Sequence, residues 1–105
     1  MTAQTFRKKP VEIEAMQWTG DNTSDVIDWV LSTGTRSARW HEAVDLDQAA
    51  EERRPRREHI AIDIREGTMR AFVGDWIIRE QITSVDRIFY PCKPDIFQAT
   101  YEAVA

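Results

Sequence analysis

The chain has 105 residues, of which 42% are hydrophobic and 30% charged, a composition typical of one small globular domain. Its net charge of -4 lacks the cationic excess of general nucleic-acid binders. A single cysteine, no apolar run of roughly 18 residues and no signal-peptide pattern predict a cytoplasmic protein without disulfides, membrane contact or cofactors.

The first part of the chain predicts a strand, a helix and a second strand. From Val11 to Trp18, apolar and polar residues alternate with the period of two that is typical of a half-buried strand. Turn residues follow, and apolar residues then recur at helical spacing until Gly34, which predicts a helix over about 23–33. Residues 36–41 predict a short strand.

Residues 42–58 differ from the rest of the chain in composition. They contain few apolar residues and include the block 53–57, in which four arginines surround a proline. Glutamates at 51, 52 and 58 neutralise most of this charge. The segment is therefore predicted to be a polar, partly mobile excursion rather than a phosphate-binding patch.

The second half of the chain predicts a series of short strands and a final helix. Alternating apolar residues and glycine turns indicate strands over 60–64, 69–73, 76–79 and 85–90. Pro91 is expected to end the last strand, since proline cannot donate to a central ladder. Pro94 fits the first position of a short helix.

The predicted order of elements is β-α-β-β-β-β-β-α. Short connections favour antiparallel pairing, because a parallel pair needs a crossover of about a dozen residues or more. The sequence therefore predicts a single small α+β domain over 1–105. We expect a mostly antiparallel, curved sheet of about five to six strands, one helix in the amino-terminal half and a short carboxy-terminal helix, with both helices on one face.

Four segments carry a family resemblance: 7–12, 17–22, the motif GDWIIR at 74–79 and the motif YPCKPDIF at 90–97. They resemble small proteins encoded by tailed bacteriophages and prophages, notably those of actinobacteria. The resemblance implies a phage source and the cytoplasm of an infected bacterium, and it implies no particular activity.

No catalytic or metal-ligating arrangement is predicted. Cys92 beside Lys93 is a candidate nucleophile, but nothing in the sequence brings His41 or His59 near it as a base. We expect a structural cysteine. Aspartates in the second half occupy turn and helix-start positions, where they form local hydrogen bonds. The protein is therefore predicted not to be an enzyme.

The candidate binding residues combine aromatic rings with cations, the residue types enriched at binding surfaces. They are Trp18, Arg70, Trp76, Arg79, Tyr90, Lys93 and Tyr101. Packing is an open alternative for Trp18 and Trp76, which both lie in apolar alternations and are expected to close the core beneath the two helices. Arg70, Arg79 and Arg87 are expected on or near one sheet face if the hairpins pair in simple register.

Two functions remain open from the sequence. The first is a non-enzymatic phage accessory protein that binds a host or phage macromolecule. The second is an oligomer that sequesters an anionic, nucleotide-like host defence signal between stacked rings and arginines. In both cases exposed edge strands and surplus aromatic residues predict a homo-oligomer.

Overall fold

Six strands and two helices follow one another in the predicted order. The computed structural model describes residues 2–32, 37–44, 56–64, 67–83 and 87–104. The elements are β1 (Glu14–Gln17), α1 (Thr23–Leu31), β2 (Ala38–His41), β3 (His59–Ile64), β4 (Gly67–Ala71), β5 (Trp76–Gln81), β6 (Arg87–Cys92) and α2 (Pro94–Thr100). The prediction of an α+β fold with antiparallel strands and two helices is confirmed.

The strands form two three-stranded sheets instead of one continuous sheet. The first sheet has the order β1-β5-β6 and the second the order β2-β3-β4, and every pair is antiparallel. β3 and β4 lie against β6, so the two sheets adjoin. In the sequence, the strands of the second sheet lie between β1 and β5 of the first. Helix α1 separates β1 from β2, and a turn separates β4 from β5.

One core joins α1 to both sheets. Its buried members are Trp18, Val26, Val30, Ala38, Ile60, Ile62, Ala71, Ile77 and Phe89. Helix α1 starts after a turn in which Gly20 has a φ of 94°, a conformation that glycine adopts without strain. Asn22 accepts a hydrogen bond from the Thr19 amide at 2.9 Å and donates one to the Gln17 carbonyl at 2.8 Å, which fixes the entry to the helix.

The two helices lie on opposite faces of the first sheet, so the expectation that they share a face is wrong. Ile77 belongs to the core beneath α1, whereas the ring of its neighbour Trp76 stacks on Phe97 of α2. Successive side chains of a strand point to opposite faces, so α2 covers the outer face of this sheet. The sequence pattern missed this because β5 is apolar on both faces.

Several strand ends differ from the prediction, and β4 begins two residues earlier and ends two residues earlier than the predicted strand over 69–73. β1 is shorter than the alternation suggested, since pairing with β5 covers only Glu14–Gln17. β6 continues through Pro91, which lies opposite Ile77, and ends at Cys92. Proline is tolerated here because β6 is an outer strand of its sheet and needs no second ladder.

The predicted excursion is described only at its ends. The backbones of Val44 and Arg56 form an isolated antiparallel bridge, with N to O distances of 2.9 and 3.0 Å. Residues 45–55, which include most of the arginine block, lie outside the described residues. None of the described helices is long and apolar enough to cross a bilayer.

Candidate functional site

The outer face of the second sheet collects basic and aromatic side chains. Arg39 lies opposite Ala61, and Ala61 lies opposite Arg70, so two guanidinium groups flank an alanine in one row. His41 lies opposite His59 two residues along, and alternation places both on the same face. We define the basic face by the residues that this register and the contacts below bring together: Arg39, His41, Arg56, Arg57, His59, Arg70, Phe72 and Lys93.

The two histidine rings form a stacked pair. Their centroids are 4.8 Å apart and their planes differ by 18°. His59 is only 4% exposed, and its Nδ1 lies 2.8 Å from the carbonyl oxygen of Arg57, a contact in which the ring N–H donates. Partial burial lowers the pKa of His41, and the neighbouring His59 and arginines lower it further. The lowered pKa favours the neutral form of His41 in this basic environment.

Phe72 connects the histidine pair to two cations. Its ring centroid lies 4.1 Å from the Arg57 guanidinium carbon and 4.8 Å from Lys93 Nζ, which are cation–π distances. Lys93 Nζ also lies 3.1 Å from a carboxylate oxygen of Asp75, and that carboxylate accepts the Phe72 amide hydrogen bond at 2.8 Å. Asp75 thus fixes Lys93 at the edge of the basic face.

The charge of this face differs in sign from that of the whole chain. Five described cationic side chains lie on this face, and the carboxylates in described ion pairs with them are Asp63 and Asp75. Cations therefore outnumber these paired carboxylates, although the net charge of the chain is -4. Hydrogen bonds from Ser37 and Thr68 lower the pKa of Asp63, so that carboxylate stays ionised and anchors Arg39 at 3.4 Å.

A second feature, the aromatic groove, lies on the outer face of the first sheet. The rings of Trp76 and Phe97 stack at 4.1 Å, and Phe97 contacts Tyr101 at 5.1 Å. Burial raises the pKa of the neighbouring Tyr90, whose hydroxyl lies 3.4 Å from Glu80. Beside these rings is a depression of about 560 Å³, lined by Val11, Ile13, Ala15, Trp76, Phe97, Thr100, Tyr101, Glu102, Ala103 and Val104.

Arg79 lies on the core-facing side of the first sheet. It forms an ion pair with Glu14, its cross-strand neighbour, and its guanidinium carbon lies 5.3 Å from the Trp29 ring. The Arg79 hydrogen bond lowers the pKa of Glu14. Arg79 and Arg87 line a shallow depression of about 340 Å³ together with Glu12 and Glu14, so carboxylates balance the arginines there.

The structure separates the predicted binding residues into four places. Trp18 is fully buried in the core and donates its indole N–H to Thr23 at 3.0 Å, as its packing interpretation predicted. Trp76, Tyr90 and Tyr101 belong to the aromatic groove.

The cations of the predicted set are divided as well. Arg70 and Lys93 belong to the basic face, whereas Arg79 is paired beneath α1. Arg70 and Arg79 occupy different sheets, so the expectation of one arginine face for Arg70, Arg79 and Arg87 is wrong.

Sequence reasoning missed the central members of the basic face. His41 and His59 are 18 residues apart, Phe72 follows a strand end, and only the β2–β3–β4 register makes them neighbours. One signal was present in the sequence. Arg39 and His41 alternate with Ala38 and Trp40, which marks a polar face on β2.

Cys92 lies at the end of β6 with its thiol partly buried. Burial raises its pKa, and the carboxylates of Asp75 and Asp95 raise it further. A raised pKa reduces the thiolate fraction at neutral pH, which argues against a nucleophilic role.

Comparisons with known proteins add no assignment. No protein-family model matches the chain, and no curated protein or solved structure matches it. Within the described ranges, no group of three or more His, Cys, Asp or Glu side chains is placed to hold a metal ion. The interpretation of function therefore depends on the geometry of the two outer faces.

Proposed function

We propose that this protein is a non-enzymatic, phage-encoded accessory protein that binds an acidic surface of a host or phage protein through the basic face. The observation that carries the proposal is the concentration of five cations around a stacked histidine pair, of which His59 is buried, on one side of a sheet. An extended basic surface on a rigid sheet matches a partner of opposite charge and steers its approach. The resemblance to phage proteins supports action in the cytoplasm of the infected host, and the edge strands and surplus aromatic residues support a homo-oligomer.

An anionic, nucleotide-like small molecule is the second candidate ligand. The stacked His41 and His59 rings, with arginines around them, favour it, since such ligands bind between planar rings and guanidinium groups. Arg70 belongs to this surface in either case.

The test compares three probes on one protein: a fluorescent polyglutamate peptide, a fluorescent oligothymidylate, and AMP. Anisotropy measures the first two and titration calorimetry the third. The variant Arg39→Gln/Arg70→Gln removes two cations of the basic face, and Lys8→Gln/Arg87→Gln removes two exposed cations outside that face. Loss of two exposed charge contacts is expected to weaken polyglutamate binding roughly tenfold, and the control is expected to match the wild type.

Each other result has a defined meaning. Equal weakening by both variants indicates non-specific attraction and contradicts the proposal. Preference for oligothymidylate would reassign the face to nucleic acid, and tight AMP binding would favour the small-molecule alternative. Mass spectrometry of protein purified from infected cells, after denaturation, identifies a released ligand or a co-purifying protein.

A further inference from the structure

The segment that leads into β1 carries an exposed aromatic anchor. Residues 2–10, here called the arm, are exposed and form no helix or strand. Phe6 in the arm is 84% exposed, the largest exposure among the large hydrophobic side chains described. Three cations, Arg7, Lys8 and Lys9, follow it directly. A single aromatic ring held in water next to a cationic run is suited to insertion into an apolar site with acidic residues at its edge.

The aromatic groove has the matching properties. Its volume of about 560 Å³ lies within the range of roughly 300–1,000 Å³ typical of ligand pockets. Apolar and aromatic side chains dominate its lining, and Val104 at its edge is 75% exposed. Glu102 lines the same groove and supplies a carboxylate. Exposed apolar surface of this kind marks an interaction site.

The arm does not fill the groove of its own chain. Lys8 and Lys9 line a neighbouring depression with Glu80 and Tyr101, which holds the base of the arm beside its own groove. Phe6, beyond this base, is left in solvent. The chain therefore carries both an exposed aromatic side chain, Phe6, and an apolar groove suited to it. A symmetric dimer in which each copy inserts its arm into the other requires both features.

We propose that Phe6 of one copy inserts into the aromatic groove of a second copy, with Arg7 placed beside Glu102 of that copy. Two reciprocal insertions close a two-fold dimer, because each copy gives one arm and receives one. This inference specifies the self-association proposed above and is independent of the basic face, so failure of either leaves the other standing.

The first experiment measures the oligomeric state of the full chain by sedimentation and light scattering from low micromolar to submillimolar concentration. The wild type is expected to reach twice the mass of a single chain. Removing two buried phenylalanine rings per dimer, with Phe6→Asp, is expected to weaken dimerisation at least roughly a hundredfold. Leu31→Asp, which alters another exposed apolar side chain away from the groove, is the matched control and is expected to leave the dimer intact.

The second experiment uses charge reversal to show that the contact is between copies. Arg7→Glu alone and Glu102→Arg alone each place two like-charge pairs in a dimer, and each is expected to weaken it roughly tenfold. An equimolar mixture of the two variants makes both contacts favourable again and is expected to restore a mixed dimer of near wild-type affinity.

Three results overturn the proposal: a wild type that stays monomeric throughout the concentration series, a dimer that survives Phe6→Asp, and charge-reversed variants that do not recover on mixing. Circular dichroism establishes that each variant is folded. All four variant sites are exposed, so their effects on folding are expected to be small.

Discussion

The two sheets share a core but present outer faces of different chemistry. The outer face of β1-β5-β6 is aromatic and partly covered by α2, with Trp76 stacked on Phe97. The outer face of β2-β3-β4 carries Arg39, the histidine pair and Arg70, and neither of the two described helices covers it. Because successive side chains of a strand point to opposite faces, the inner faces pack in the core while the outer faces differ in chemistry. In this small fold, interaction surfaces are placed on the backs of core strands.

The largest expected effect tests whether both faces depend on the one core. Trp18→Ala removes a fully buried indole and its hydrogen bond to Thr23, and it is expected to lower the free energy of unfolding by about 3–5 kcal/mol. Urea unfolding followed by the side-chain NMR signals of Trp76 in the first sheet and of His41 and His59 in the second reports on the two sheets separately. Leu31→Ala, at an exposed position, is expected to change the free energy by less than about 0.5 kcal/mol. Two separate transitions would contradict the shared core.

A second variant changes Asp75, which holds Lys93 at the edge of the basic face. Asp75→Ala removes the acceptor for the Phe72 amide and the buried partner of Lys93, with an expected loss of about 2 kcal/mol in the free energy of unfolding. Asp75→Asn keeps an acceptor oxygen and is expected to lose less. Urea titration of the two variants measures the difference. Equal losses would show that the charge, and not the amide hydrogen bond, is what the turn needs.

A third variant affects the aromatic face alone. Phe97→Ala removes the ring stacked on Trp76, and because Phe97 is half-buried the expected cost is about 2 kcal/mol, less than for a core phenylalanine. Hydrogen exchange is expected to show lost protection in α2 and unchanged protection in β3. Affinity for polyglutamate is expected to stay at the wild-type value, and a loss of that affinity would mean that the two faces are coupled.

The smallest expected effect is a pH dependence of the basic face. The pKa of His41 is lowered from its ordinary value of 6.5, so between the two pKa values the unfolded chain binds more protons than the folded one. The free energy of unfolding is therefore expected to fall as the pH falls below about 6.5. His41→Gln is expected to flatten this slope between pH 6.5 and pH 5, as urea titrations at successive pH values measure. An unchanged slope would exclude His41 as its source.

The sequence predicted local elements well where one face of the element was apolar. α1 was found from its helical spacing, and β3 from alternating isoleucines. It could not divide six strands between two sheets, because pairing such as that of β1 with β5 joins residues 59 to 65 positions apart. It also could not place α2, since Trp76 and Ile77 make both faces of β5 apolar.

For the candidate site, residue types were more informative than grouping. The aromatic and cationic residues of the predicted set belong to different faces. Trp18 and Arg79 have structural roles. An indole ring fills a core, and an arginine with its apolar stem packs at the border of one. The histidine pair could not be found from spacing, since it is created by strand register alone.

The bridge between Val44 and Arg56 affects how well the fold tolerates changes in the sequence between these two residues. Its two backbone hydrogen bonds hold the start and the end of the intervening connection at fixed points beside the basic face. Doubling the length of a connection whose ends are already joined costs only about 0.6 kcal/mol in closure entropy. A chain with a longer or different sequence between Val44 and Arg56 is therefore expected to keep both sheets unchanged.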